Sequence, residues 1–490
     1  MAAKSFLAFD LGASSGRSIL GVLDAGRLSI RELSRFPNEM IEISGHLHWN
    51  IAQLYQELKR GLAACAAESI APESIALDTW GVDFGLLAAD GSLLGLPYAY
   101  RDSRHQTAPE EFFRLVPRRR VYELTGIQIM PINTLFQLYA LARDESPLLK
   151  AADRVLMIPD LLNYFLTGEK KSEFTIASTS QLYNPRTRAW ESDLLSPLGL
   201  STAIMPEVLE PGTVIGGLRE PIRRETGLGE TPVVATASHD TGSAVAAAPA
   251  EGQGWAYISS GTWSLVGIES DQPIINNQAL EANVTNEGGV GRTFRVLKNV
   301  TGLWLLQECR RAWARERSYS YEELARTALD APAFRSFIDP DDPAFVNPPD
   351  MPEAIRRYCE RTRQPQPQSP AEFARAIFEG LALKSRTVLD QLRGLSPKPI
   401  EVVHIIGGGS QNETLCQFTA NAAGLPVVAG PMEATAIGNL LVQAIGLGFL
   451  SSLAELRQVV RQSFPLKPYQ PQQDASWDAA YQRFREVTAA

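Results

Sequence analysis

The residues with chemistry to offer fall in a few short polar clusters, each set against apolar strands. LAFDLGASSGRSIL (Leu7–Leu20) places an acid, two glycines, two serines and an arginine between two apolar runs. A tight strand–strand turn of this composition exposes backbone N–H groups and hydroxyls on one side, a concavity suited to an anion. Arg17 adds a forked, permanent charge that matches phosphate. Asp10, just before the turn, can hold hydrated Mg²⁺, the usual partner of a nucleotide polyphosphate. An ordinary hairpin with a solvated aspartate uses the same residue types. ISSGTWSL (Ile258–Leu265) repeats the design, with Ser, Gly and Thr between apolar strands. Two such hairpins, one per domain, could grip a polyphosphate from both sides. In IIGGGSQN (Ile405–Asn412) glycines follow a strand and lead into a helix, so a flat adenosine ring could lie close to the backbone. A bare strand–helix crossover is the plain alternative.

Two other readings of these glycines fail on context. GASSG fits the G-x-S-x-G nucleophile elbow, but that motif needs strand, turn and helix, and a strand-like run follows here. No Gly-Lys dipeptide occurs anywhere, so the Walker A pattern is absent. The run at Gly407–Gly409 lacks the third glycine of G-x-G-x-x-G.

The acceptor side starts from VVATASHDTGSAVAAA (Val233–Ala248), an apolar strand, a polar cluster and a small-residue helix. Asp240 stands where the helix begins, and N-capping alone would account for it. With His239 beside it at a strand end, it can do more. The helix N-terminus is expected to keep this carboxylate ionised. It could then orient a sugar hydroxyl and take its proton, which suffices for phosphoryl transfer, where alignment and charge stabilisation dominate. LDTWGVDFGLL (Leu77–Leu87) sets Asp78, Gly81 and Asp83 around Trp80, a combination that offers a sugar an apolar face and polar edges. Asp83 is assigned to the sugar on its polarity. A turn packed on Trp80 with surface acids is the alternative. YRDSR (Tyr100–Arg104) reads as a structural ion-pair cluster. Of the five histidines, only His239 receives a site role.

Elements that position these clusters follow from periodicity. Phe6–Asp10, Arg17–Leu23 and Leu28–Phe36 are strand-like and meander through short turns. Asn50 caps a helix carrying Ile51, Leu54, Tyr55, Leu58 and Leu62 at helical spacing. Ile75–Asp78 returns to the sheet. The order strand, small polar turn, strand recurs at Trp255–Ser260 and Trp263–Ile268. A long amphipathic helix, Phe373–Leu392, then precedes the strand Val402–Ile406. Helices over Asn412–Ala423 and Glu433–Leu447 flank the short strand Val427–Ala429. The halves are expected to meet near Pro249–Gly254, and the runs Arg363–Pro370 and Pro465–Gln473 to be surface connections.

Length and composition bound the function. A chain of 490 residues predicts two domains. A net charge of -9 excludes nucleic acid as a general partner. Cys65, Cys309, Cys359 and Cys416 form no CxxC pair, so neither a zinc site nor a disulfide framework is expected, and a reducing cytoplasm fits. No signal peptide is read at the start. Ile437–Leu450 is too short for a membrane span and contains Asn439 and Gln443.

Taken together, DLGASSGR, SHDT, SSGTWS, GGGSQN and MEATAIGNLLVQAIGLG resemble the FGGY carbohydrate kinases across nearly the whole chain. The resemblance implies an α/β fold of two actin-like (ribonuclease H-like) ATPase domains with an active-site cleft between them. Residues 1–249 would form the N-terminal domain, with the sugar site and first phosphate hairpin, and 250–490 the nucleotide-binding C-terminal domain. A narrower set, including DTWGVDFGLL, MIPDLLNYFLTG, TNEGGVGR and VLKNVTGLWLLQE, is similar to the members acting on L-rhamnulose. It implies transfer of the ATP γ-phosphate to the 1-hydroxyl of that ketose, with Mg²⁺, in rhamnose catabolism. Another ketose such as fuculose or xylulose is the alternative. By matching motif, Ala13, Ser14, Ser15, Gly16 and Arg17 would contact ATP phosphates, as would Thr262. Gly408 would border the adenosine, and Gln307 would reach the nucleotide. Gly81, His239, Asp240, Thr241 and Asn299 would contact the sugar, with Asp240 as the base. Gln307 and Asn299 rest on the resemblance alone. The wider sugar-kinase group usually carries Thr beside Gly in the first loop, where this chain has Ala13. The actin-like fold also serves chaperones and filaments, which need no acceptor-side carboxylate.

Overall fold

A computed structural model describes residues 3–472 and 474–489. The chain forms two compact units. The first comprises Met1–Ala247, Glu269–Val296 and Ala434–Ser463; the second comprises Ala248–Ile268, Leu297–Glu433 and Phe464–Ala490. By compactness the chain therefore does not divide into the contiguous halves 1–249 and 250–490. Two stretches of the second half pack with the first unit.

In the first unit, β1 (Lys4–Leu11), β2 (Ser15–Asp24) and β3 (Arg27–Pro37) form the expected meander. Helix α1 (Ile51–Ala67), capped by Asn50, whose side chain accepts the Gln53 N–H at 3.2 Å, returns the chain to β4 (Ser74–Thr79). Later, β5 (Thr213–Gly217) and β6 (Pro232–Ala235) complete a six-stranded sheet in the order β5-β6-β4-β1-β2-β3. β1, β4 and β6 run parallel, and β2 is antiparallel to β1. β1 is buried on both faces, which explains its nearly unbroken apolar sequence. Leu7, Phe9 and Leu11 pack with Leu54, Leu58 and Leu62 of α1. The other face carries Phe6, whose ring meets Phe449 at 5.9 Å. It receives α2 (Asp240–Ala246) and the later helix α6 (Ala434–Gly446), which pack on each other. A Cβ on Gly438 would stand 1.8 Å from the Ser243 carbonyl oxygen, so only glycine permits this helix contact.

The second unit repeats the plan. β7 (Trp255–Ser260) and β8 (Trp263–Ser270) are an antiparallel pair. After α3 (Trp304–Trp313) and α4 (Pro370–Arg393), β9 (Val402–Ile406) lies parallel to β7. Helix α5 (Glu413–Ala423) leads to β10 (Val427–Ala429), parallel to β9, and β11 (Lys467–Tyr469) closes the edge antiparallel to β10. The core gathers Phe373, Ile377 and Leu381 of α4 with Leu415, Phe418 and Trp477. β11 corrects one expectation: the run Pro465–Gln473 is not merely a connection, because a proline is tolerated on an edge strand. Its last residue, Gln473, lies outside the described residues. The four cysteines are buried and unpaired. Among the described residues, no helix is long and apolar enough to cross a membrane.

Candidate active site

Three carboxylates gather at the C-terminal ends of the adjacent parallel strands β1, β4 and β6, the edge where open α/β sheets bind ligands. Asp10 and Asp78 are register partners near the ends of β1 and β4. Asp240 follows β6. Pairing continues past Ala235, since Thr79 N–H donates to the Ser238 carbonyl at 2.9 Å and Thr79 bridges His239. The Ser238 N–H donates to Glu173 Oε2 at 2.9 Å, and the His239 N–H to Thr175 Oγ1 at 3.1 Å. Glu173 itself caps the helix Phe174–Thr179. Burial pushes its carboxyl up to about 7, against the donors that surround it.

Asp240 is the first residue of α2, and His239 occupies the cap position without a side-chain cap bond. Asp240 Oδ1 accepts the Thr241 N–H at 2.6 Å and its hydroxyl at 3.1 Å, and lies 3.4 Å from His239 Nε2. Oδ2 makes no hydrogen bond among the described residues, and 31% of the side chain remains accessible. The expected ionising effect of the helix N-terminus does not prevail. Burial raises the carboxyl above its ordinary range, Asp10 raises it further, and His239 and Thr241 only partly oppose this. A short helix offers few aligned dipoles to outweigh desolvation.

Asp78 is fully buried and held well above the usual carboxylate range by burial, with Asp10 adding to it. Its Oδ2 accepts from Asn439 Nδ2 at 2.6 Å, while Oδ1 has no partner. Gln443 Nε2 donates to Asn439 Oδ1 at 2.8 Å, and Ser74 Oγ to Gln443 Oε1 at 2.8 Å. A buried polar chain thus runs beneath the carboxylates from β4 to α6.

The first hairpin has its carbonyls held from behind. Asn38 donates its side-chain N–H to the Gly12 carbonyl at 2.8 Å and its backbone N–H to Ser14 at 3.1 Å. The carbonyls of the turn are therefore turned toward Asn38. Arg17 Nη2 pairs with Asp10 across the β1–β2 register.

Gly81 is a close approach: a Cβ there would stand 3.3 Å from Thr179 and 3.4 Å from His239 Nε2, so a side chain at this position would press on both. Asp83 requires correction. It is 1% exposed, and Oδ2 accepts from Trp49 Nε1 at 2.6 Å, Trp80 Nε1 at 3.0 Å and Tyr100 N–H at 3.1 Å, while Oδ1 accepts from Gln137 at 2.8 Å. Both oxygens are occupied, so this carboxylate fixes the Trp49 and Trp80 rings, tilted at 38° with centroids 4.0 Å apart, and has no face for a sugar. YRDSR proves structural: Asp102 accepts the Leu47 and Arg104 N–H groups, and Arg104 reaches Gln137.

In the second unit, the hairpin carbonyls of Gly261 and Thr262 are taken by the N–H groups of Leu303, at 2.9 Å, and Gly302, at 3.0 Å. This parallels the part Asn38 plays in the first unit. The entry to α3 is thereby pinned to the turn, and Thr262 Oγ1 lies 3.3 Å from Gln307 Oε1. Of the three glycines after β9, Gly407 has φ of +83° and a Cβ on Gly409 would strike Ser260. Gly408 alone faces open space, with nothing within 4 Å of an added Cβ. Asn299 is half-buried on the strand Phe294–Thr301.

Sequence reasoning missed Asn38, Glu173 and Asn439, and also Arg295 and Glu287, which lie 3.1 and 3.2 Å from His239 Nδ1. Some signals existed. Arg295 is a charge inside an apolar strand, and Asn439 and Gln443 stand at i,i+4 in an otherwise apolar helix.

Residues 5–247 match the N-terminal domain of the FGGY family of carbohydrate kinases, and residues 256–447 match its C-terminal domain. The chain belongs to this family, whose members phosphorylate a sugar hydroxyl with ATP as co-substrate. It is 52% identical over 482 residues to a rhamnulokinase of Bacteroides thetaiotaomicron, covering 98% of this chain and 99% of that protein. Identity to a rhamnulokinase of Pectobacterium atrosepticum is 43%, covering 100% and 97%. The fold matches a gluconate kinase from Lactobacillus acidophilus with a TM-score of 0.83 at 17% identity, covering 100% and 98%. The architecture is accordingly the actin-like one.

Proposed function

We propose that this chain transfers the γ-phosphate of ATP to the 1-hydroxyl of L-rhamnulose, giving L-rhamnulose 1-phosphate and ADP, in the cytoplasm as a step of rhamnose catabolism. Similarity to rhamnulokinases over nearly the full chain supports the substrate. The observation that carries the chemistry is Asp240 with Oδ2 free of hydrogen bonds beside His239, where Gly81 brings the backbone close to the ring. In this reading Thr241 fixes Oδ1, so Oδ2 receives the proton of the sugar hydroxyl as the oxygen attacks phosphorus. A carboxyl raised by burial is a better proton acceptor than a solvated one. Gly81, His239, Thr241 and Asn299 hold the sugar.

Ala13, Ser14, Ser15 and Gly16 offer N–H groups and hydroxyls to the ATP phosphates, with Arg17 as the charge beside them. In the second unit Thr262 and Gln307 take the nucleotide, and Gly408 leaves room for the adenosine. Asp10 and the partnerless Oδ1 of Asp78 suit Mg²⁺, which needs only one or two carboxylates beside water and phosphate oxygens. Bound there, the ion would neutralise charge on the phosphates.

A coupled ADP assay over a panel of ketoses tests the reading. L-rhamnulose should exceed fuculose and xylulose in kcat/KM by about 10²-fold, the scale set by lost polar contacts. Equal or higher values for another ketose would reassign the substrate.

A further inference from the structure

The contacts of His239 fix which of its ring nitrogens carries the proton. Nδ1 lies 3.1 Å from Nη2 of Arg295 in hydrogen-bonding geometry, and 3.2 Å from Glu287 Oε2. Glu287 Oε2 accepts no hydrogen bond, so the carboxylate is near the ring nitrogen but off its bonding direction. A guanidinium can only donate. Nδ1 is therefore the lone-pair nitrogen, and the proton belongs on Nε2. Nε2 stands 3.4 Å from Asp240 Oδ1 and 3.4 Å from the Cβ position that Gly81 leaves empty.

Arg295 is built to hold this arrangement. It is wholly buried, its Nε donates to the Gly288 carbonyl at 2.8 Å, and Nη2 lies 3.1 Å from Glu287 Oε2. The Gly288 N–H is in turn anchored to Ser178 Oγ at 2.8 Å. A buried guanidinium needs a counter-ion close by, and Glu287 supplies it. Burial works against the Glu287 charge, but the Arg295 guanidinium opposes it and the carboxyl lies below its ordinary range.

We propose that Arg295, with Glu287 as its counter-ion, is a positioning residue that holds His239 as the neutral Nε2–H tautomer. A donor then faces Asp240 and the sugar oxygen beside it. With the opposite tautomer a lone pair would face the Asp240 carboxylate, and the ring could not steady a sugar oxygen. The part played toward the sugar rests on the function proposed above; the tautomer does not.

Long-range ¹H–¹⁵N spectra of the full chain labelled with [¹⁵N]histidine read the tautomer directly, with His239→Gln assigning the signals. At neutral pH Nδ1 should be unprotonated and Nε2 protonated. Arg295→Met leaves a carboxylate next to Nδ1, so the proton should move to Nδ1, and kcat with the ketose should fall roughly tenfold or more while KM for ATP stays unchanged. Adding Glu287→Gln removes the unpaired buried charge and supplies an amide donor to Nδ1. This double variant should fold, regain the Nε2–H pattern and recover most of kcat. A protonated Nδ1 in the parent chain, or ring signals unmoved by Arg295→Met, would overturn the proposal. The expected tautomer in a chain that phosphorylates no ketose would leave the Arg295 assignment standing and sink the proposed substrate instead.

Discussion

Asn439 donates to Asp78 at 2.6 Å across 361 positions of the chain. The bond joins a late helix to the strand whose end carries the carboxylates, and it is the only hydrogen bond Asp78 receives from a side chain among the described residues. Asn439→Leu would strip a fully buried acid of that donor. The expected cost is about 2–4 kcal/mol of unfolding free energy. Asp78→Asn in the same chain should recover part of it, because the uncompensated group is then neutral. Thermal unfolding of the single and double variants measures the coupling.

Two glycines separate a packing demand from a ligand demand. Gly438→Ala forces a methyl group against the Ser243 backbone and must displace α2 from α6. A loss of about 3 kcal/mol or more is expected, since packed backbone cannot give way cheaply. Gly408→Ala meets nothing. It should unfold at the parent temperature yet raise KM for ATP, as the added methyl group occupies the space proposed for adenosine. A Gly408→Ala enzyme with unchanged KM for ATP would place the ring elsewhere.

What the sequence disclosed follows from how local each signal is. The strand expected over Phe6–Asp10 is found as Lys4–Leu11, and the cap at Asn50 is as expected, because apolar runs and cap residues act within a few positions. The mixing of chain segments between units left no such trace. Helix α6 joins the first sheet through Asn439 and Gln443, whose partners are hundreds of residues away. Asp83 shows the same limit: Trp49, Tyr100 and Gln137, which saturate it together with Trp80, come from three separate segments. Polarity alone could not tell an occupied carboxylate from an open one. Asp240 was legible as a candidate, but the direction of its shift depends on burial and on Asp10, neither of which spacing encodes.

Asp83 also carries a pH signature. Burial raises its carboxyl from 3.8 to about 6. The folded chain then binds this proton more tightly than the unfolded one, so the contribution to stability falls as pH rises from about 4 to about 6 and is fully lost above that. Asp83→Asn lacks the slope, while its amide opposes N–H donors that now meet no acceptor. It should lower the unfolding temperature at every pH, and the gap from the parent should narrow between pH 4.5 and pH 7. A variant as stable as the parent but with a raised KM for the ketose would return Asp83 to the substrate.

The most direct test of the whole account is ADP formation by Asp240→Asn, measured with and without L-rhamnulose alongside ATP binding by calorimetry. Removing the proposed general base should lower the sugar-dependent rate by about 10²–10⁴-fold and leave ATP affinity within a small factor of the parent. Sugar-dependent turnover near the parent rate would contradict the account, because the proton of the attacking hydroxyl would then have gone to some other group.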